Sequence, residues 1–188
     1  MKRSFSHIVY LGSALFLVLI AACLSGCVGE KSPAPEAKTV YEWLDTPLTD
    51  VTTGEVITLR GLTQDGTPVV LHLFTSWCQY SNMQLGESTT FLGTYSGKAH
   101  LVAMDVDPNE NAQMLAEHVA QNGYEGTFVM AEGPVVLGLM DLFGDDIMAS
   151  IPQSLIISGD DLVYLGPGVV SSDDLSSKID QFLLQLKK

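Results

Sequence analysis

Pro68-Val69-Val70-Leu71-His72-Leu73-Phe74-Thr75-Ser76-Trp77-Cys78-Gln79-Tyr80-Ser81 is the stretch that decides how this chain folds. Pro68 to Thr75 is a near-continuous apolar run of strand length. A strand apolar on both faces belongs in the middle of a sheet, with a layer packed on either side. The run breaks at Ser76-Trp77-Cys78, and the residues beyond predict a helix to about Tyr95, weakened at Gly86 and Gly93 because glycine is a poor helix former. A cysteine at a strand-to-helix junction faces unsatisfied backbone N–H groups and the positive end of the helix dipole. Both favour thiolate over thiol, so the Cys78 pKa should fall below the free value of about 8.5. The competing reading of Cys78 is a small buried hydrophobe, as free cysteines often are; the Trp-Cys context and the helix start favour the reactive one.

Outward from this stretch, strands and helices alternate. Residues 48–60 read as a β-hairpin turning at Thr53-Gly54, and Asp65-Gly66 marks a second turn. His100 to Val106 is the next strand. Pro108-Asn109 is expected to open a helix to about Asn122, with Met114, Leu115, His118 and Val119 on one stripe and Gly123 as its stop. A short strand follows at Thr127 to Ala131, then a helix from Pro134 to Phe143. Residues 154–157 and 162–165 form a hairpin around Gly159-Asp160. Leu175, Ile179, Phe182, Leu183 and Leu186 make an amphipathic last helix, capped by Ser171 or Ser172. This order implies an α/β domain with a central mixed sheet covered by helices on both faces.

The N-terminus reads as an export signal. Lys2 and Arg3 precede an apolar run from Ile8 to Ala22, shorter than the roughly 20 residues of a bilayer span and suited to a signal core. The run ends in Leu24-Ser25-Gly26-Cys27, which resembles the lipobox of bacterial-type lipoproteins, where Cys27 would carry lipid; Ile20-Ala21-Ala22-Cys23 is a weaker match. The expected organisation is a signal peptide at 1–26, a tether at 27–45 and one domain at 46–188. Pro33 and Pro35 keep the tether irregular. The location implied is a membrane-anchored lipoprotein on the extracytoplasmic face. The net charge is −13; removing Lys2 and Arg3 leaves seven basic residues against 22 acidic ones, a net −15. Such a chain repels phosphate backbones, so nucleic acid is excluded as a partner class.

Taken together, residues 48–188 resemble the thioredoxin superfamily, in particular membrane-tethered extracytoplasmic thiol–disulfide oxidoreductases of the TlpA/ResA type. The matching pieces are the first hairpin, the apolar strand ending in Trp77-Cys78, Ile151-Pro152 before a hairpin, Tyr164-Leu165-Gly166-Pro167-Gly168, and the last helix. The resemblance implies a thioredoxin-like fold with an inserted helix, at about 109–122 or 134–143. It also implies a cis Ile151-Pro152 bond, with Pro152 lying against Cys78.

Two residues depart from the family pattern. The motif Trp-Cys-x-x-Cys has Ser81 in place of its second cysteine, and no cysteine follows Cys78. An internal disulfide is therefore impossible at this site. The Ser81 hydroxyl either donates a hydrogen bond to the thiolate or is a neutral replacement. His72 falls where the family places a buried, proton-relaying Asp; it either relays protons near neutral pH or is a satisfied core histidine. The candidate site is thus Cys78, Ser81, Trp77, Pro152 and His72. The residues show no Gly-rich phosphate loop and no metal-ligand spacing, since His7 lies in the signal and His100 and His118 lie apart. No cofactor is expected. Tyr41 and Trp43 read as packing residues.

The function expected is monothiol thiol–disulfide exchange through Cys78. Its partners would be exported proteins with thiols or disulfides, and an outside thiol would resolve the complex. The alternative is a redox-silent module that binds exported proteins around Cys78 and Pro152. A one-cysteine peroxidase fits poorly, because the Pro-x-x-x-Thr-x-x-Cys pattern is absent.

Overall fold

Strand β3 (Val69–Phe74) is buried at all six positions, and the other layers are organised around it. The structure, a computed structural model, describes residues 41–95 and 97–187. The expected signal peptide, Cys27 and the expected tether up to residue 40 lie outside the described residues. Among the described residues no helix is long and apolar enough to cross a membrane.

β3 pairs in parallel with β4 (His100–Asp105), which pairs in parallel with β5 (Thr127–Met130). On its other side β3 pairs antiparallel with β6 (Gln153–Ser158), and β6 with β7 (Asp161–Pro167). The sheet order is β5-β4-β3-β6-β7. This is the mixed central sheet expected of the α/β, thioredoxin-like fold class.

Side chains alternate across a strand, so β3 feeds two cores. Val69, Leu71 and Leu73 join one core with Trp43, Leu48, Val135, Leu139 and Leu155. Val70 packs on the opposite face with Phe91, Ile156, Leu175 and Ile179, and Phe74 with Leu85, Leu115 and Phe128. The helices supplying these contacts are α2 (Gln79–Thr94), α3 (Ala112–Asn122), α4 (Gly133–Phe143) and α6 (Ser172–Leu186). Both segments weighed as the inserted helix, α3 and α4, are helical. Ser171 caps α6 by accepting from Asp174 N, and Gly123 closes α3 in the left-handed conformation at φ 65°.

The first hairpin, β1 (Leu48–Thr49) and β2 (Val56–Ile57), docks on the outer edge of β5 through Val51 N to Phe128 O at 2.8 Å. Asp50 is the joint. Its carboxylate accepts from Thr52 N, Thr52 Oγ1 and Thr53 Oγ1 at 2.8–2.9 Å, closing the turn. Burial raises its pKa, but these hydrogen bonds prevail and hold it below the usual carboxylate range. A free sheet edge is a template for wrong pairing, and the hairpin covers this one.

Four local expectations need correction. The strand read through Arg60 stops at Ile57, because the Thr58 hydroxyl accepts from Gly61 N at 2.9 Å and caps a short helix, α1 (Leu59–Leu62). Glu42–Asp45, at the end of the expected tether, form a 3-10 helix with Trp43 and Leu44 buried. That supports the packing role read for Trp43. Helix α3 opens at Ala112 rather than near Pro108, since Asn111 accepts from Gln113 N and Met114 N at 3.1 Å. Met114, placed on the core stripe, is exposed.

Gly138 in α4 lies directly under the Trp43 indole. A Cβ at Gly138 would stand 2.2 Å from Cδ1 and 2.4 Å from Cγ of that ring. Alanine should gain the ~0.5–1 kcal/mol by which it outranks glycine in a helix. It should lose more, since overpacking a core position costs about 1–3 kcal/mol. We expect Gly138→Ala to lower the urea midpoint of the full chain; an unchanged midpoint would mean that the indole moves aside freely.

Candidate functional site

Beyond Phe74 the chain leaves the sheet and turns into α2 within four residues. Cys78 N donates to Thr75 O at 3.2 Å, and Asn82 N donates to Cys78 O at 3.0 Å. Cys78 is therefore the N-cap residue of α2, with extended backbone at φ −79° and ψ 119°. It is partly exposed and is the free cysteine among the described residues. Burial alone would raise its pKa. The polar groups at the start of α2, the Ser81 hydroxyl first and then the Ser81 and Tyr80 N–H groups, outweigh that burial and the net shift is downward, although the Cys78 side chain makes no capping hydrogen bond within α2. Ser81 is fully buried one turn along α2, and its hydroxyl oxygen also accepts from Thr75 N at 3.4 Å. The burial of Ser81 one turn beyond Cys78 is compatible with both readings, a hydroxyl donor to the thiolate and a neutral replacement.

Pro152 follows a cis Ile151-Pro152 bond, as the resemblance implied. The register Leu73↔Gln153 places it beside the end of β3 from which the Cys78 loop departs. Its carbonyl accepts from Gly168 N at 2.8 Å, tying it to the end of β7. Around Cys78 the surface is apolar and open: Trp77 is 68% exposed and Tyr80 63%, and Met83 is exposed as well.

Of the two readings of His72, its surroundings fit the satisfied core histidine. Its ring is fully buried, with Nδ1 2.8 Å from Ser154 Oγ and Nε2 2.8 Å from Ser88 Oγ. Burial pushes its pKa down to about 4, a backbone hydrogen bond with Gln153 opposing only in part. The imidazole stays neutral at physiological pH and ties β3 to β6 and to α2.

The loop between β4 and α3 supplies residues that sequence reading did not single out. Glu110 turns back onto the loop before Cys78: Ser76 N donates to Glu110 Oε2 at 3.0 Å, and the Ser76 hydroxyl donates to Oε1. Trp77 Nε1 donates to Asp107 Oδ2 at 2.6 Å. Asn82 Nδ2 donates to Ser76 O at 2.8 Å, and Asn82 Oδ1 is 2.7 Å from His118 Nε2. Ser76 and Trp77 are thus held from two sides immediately before the thiol. Asp105, at the end of β4, is 1% exposed, and no donor reaches its Oδ2. Burial, and then the bond to Glu110, push the Asp105 pKa up to about 8. Burial would raise Glu110 too, but its bonds from Asp105 and Ser76 prevail and keep it ionised. The signal for this cluster was Asp105-Val106-Asp107-Pro108-Asn109-Glu110, three acids at the C-terminal end of a parallel strand, the edge where α/β sheets gather their sites.

Fold and site together define the class: a thioredoxin-like domain with a lone thiol capping the helix that follows its central strand. Among solved structures the chain is similar to StoA from Bacillus subtilis, at 19% identity and a TM-score of 0.55, covering 76% of this chain and 98% of that one. It is similar to a thioredoxin-family thiol:disulfide interchange protein from Chlorobium tepidum, at 18% identity and 0.60, covering 73% and 92%. A secreted Mycobacterium tuberculosis disulfide oxidoreductase homologous to E. coli DsbE is also similar, at 15% and 0.54, covering 74% and 98%. Neither the protein-family models nor the curated protein sequences give a match. At these identities the likeness establishes the fold.

Removing the Ser81 hydroxyl tests its part in the site. In Ser81→Ala the Cys78 pKa should rise and alkylation by iodoacetamide at pH 7 should slow several-fold. An unchanged pH–rate profile would assign the thiolate's stability to the helix amides alone.

Proposed function

We propose that this protein carries out monothiol thiol–disulfide exchange through Cys78, on the extracytoplasmic face of a membrane to which lipid on Cys27 anchors it. The observation that carries the reading is the place of Cys78, partly exposed at the α2 N-cap, where the helix dipole and the polar groups of Tyr80 and Ser81 lower its pKa. The Cys78 thiolate attacks one sulfur of a partner's disulfide. A bond forms between Cys78 Sγ and that sulfur, and the partner's other sulfur leaves as a thiolate. Ser81 cannot attack the mixed disulfide. A second thiol, from the partner or from a small molecule, does so and releases the Cys78 thiolate. Resolution by the partner's own thiols rearranges its disulfides; resolution by an outside thiol, with a further thiol completing the reaction, reduces them. Trp77, Tyr80, Met83 and Pro152 would form the surface that receives the partner. The similarity to solved thiol–disulfide proteins agrees with this chemistry, and the Leu24-Ser25-Gly26-Cys27 box is the support for the anchor.

Reduction of a model protein disulfide by the full chain in detergent, with dithiothreitol as donor, tests the chemistry. Wild type should turn over slowly, Ser81→Cys faster because the new thiol resolves the complex internally, and Cys78→Ala not at all. If Ser81→Cys is as slow as wild type, and wild type forms no mixed disulfide with oxidised glutathione, the redox reading fails and the binding module replaces it. Mass spectrometry of the membrane-extracted protein should find an acylated N-terminal residue at Cys27; an intact Met1 would refute the anchor.

A further inference from the structure

A groove of about 630 Å³ opens beside the Ser76–Trp77 loop. One wall comes from α4 and from α5 (Asp146–Ala149), with Val136, Leu137, Met140 and Met148; Met130 at the end of β5 adds to it. These groups are apolar. The opposite side carries Asp105, Asp107 and Glu110, and no basic side chain lines the groove. Asp107 and Glu110 hold Trp77 and Ser76, so this side adjoins the residues that lead into Cys78.

The carboxyl pair has an unusual balance. Ser76 donates twice to Glu110 and Asp107 N donates to Asp105 Oδ1, whereas among the described residues the buried Asp105 Oδ2 has no donor, and only a proton shared with Glu110 relieves it. Two carboxyls side by side under apolar walls require a cation or a proton between them, because a second unpaired negative charge is costly to bury. Without a cation the pair keeps a proton. The shape of the rest matches one kind of cation: a long aliphatic stem to lie along methionine and leucine, and a charged head to reach the acids.

We propose that this groove is a subsite for a lysine or arginine side chain of the partner segment that presents its sulfur to Cys78, with the cationic head between Asp105 and Glu110. The proposal names the substrate class of the exchange reaction above and rests on that reading for its biological sense. The occupant is a polypeptide side chain rather than a free ion, because most of the lining is apolar and the groove borders Trp77. The chain's net charge of −13 attracts such a segment before it docks.

Direct binding separates this subsite from the redox chemistry. The probe is a capped, otherwise uncharged decapeptide with serine in place of the reacting cysteine and one lysine three residues away. Its twin carries norleucine for the lysine. Calorimetric titration of the full chain in detergent should show the lysine peptide binding about tenfold tighter at pH 7, the scale of a single charge-assisted hydrogen bond. The cation favours ionised Asp105, so its binding expels the shared proton. The preference should therefore grow as pH rises towards about 8 and then level off, while the lysine itself, with a pKa of about 10.4, stays charged. Asp107 and Glu110 are the other titratable groups lining the groove and both are held low, while His118, whose charge acts on Glu110, is held by burial below its ordinary range, so none of the three accounts for a rise towards about 8. In Asp105→Asn the amide still donates to Glu110 but gains no charge, and both the preference and its pH dependence should vanish. Glu110→Gln, which leaves an acceptor for Ser76, should weaken the preference as well. Equal binding of the two peptides by wild type, no saturable binding of either, or a preference that survives in Asp105→Asn would overturn the subsite. Because the serine peptide cannot exchange, a normal lysine preference alongside no mixed disulfide with glutathione would sink the redox reading alone.

Discussion

The complete burial of β3 is the constraint from which the rest follows. A strand with no exposed position must have partners on both edges and layers on both faces. β4 and β6 supply the edges, and the helices and the N-terminal segments supply the faces. Such a strand cannot end gradually: its last buried residue, Phe74, is followed within four residues by the first turn of α2. That abruptness puts Cys78 at a helix terminus with free amides in front of it. The position of the thiol at a helix terminus is in this sense a by-product of packing the strand.

Around the thiol, charge is arranged by sign and by distance along the chain. Among the described residues no basic side chain hydrogen-bonds to Cys78; its pKa is lowered by neutral groups, the Ser81 hydroxyl and the Ser81 and Tyr80 N–H groups. The acids stand one step back and grip the residues before it, Ser76 through Glu110 and Trp77 through Asp107. They orient the loop by accepting hydrogen bonds from it. The raised pKa of Asp105, from burial and its bond to Glu110, limits the negative charge that this grip places near the thiol.

Much of this was legible in the sequence because it was local. The apolar run of β3, the Trp77-Cys78 junction, the Gly123 stop and the Ser171 cap each depend on neighbours a few residues away. The cis Ile151-Pro152 bond came from resemblance and not from periodicity. What escaped reading depends on distant partners. His72 reads as either a proton carrier or a core histidine, and the choice turns on Ser88 and Ser154, contributed by α2 and β6, which take both of its nitrogens. Glu110 looked like the first turn of a helix, but Asn111 caps that helix after it and leaves the carboxylate free to reach back to Ser76. Met114 fitted the helical stripe, yet only Leu115 and Val119 of α3 are fully buried. Periodicity marks which residues are apolar and does not tell how wide the covering layer is.

The chain contains two tryptophans, and they occupy opposite environments. Trp43 lies in the core against Gly138, while Trp77 stands in water with its indole N–H on a carboxylate. The intrinsic emission of the protein is therefore a sum of two colours. The bluer component, inaccessible to a collisional quencher, reports the integrity of the domain; the redder, quenchable one reports what touches the thiol's surroundings. Unfolding and occupancy can be followed in one cuvette, without a label and without altering Cys78.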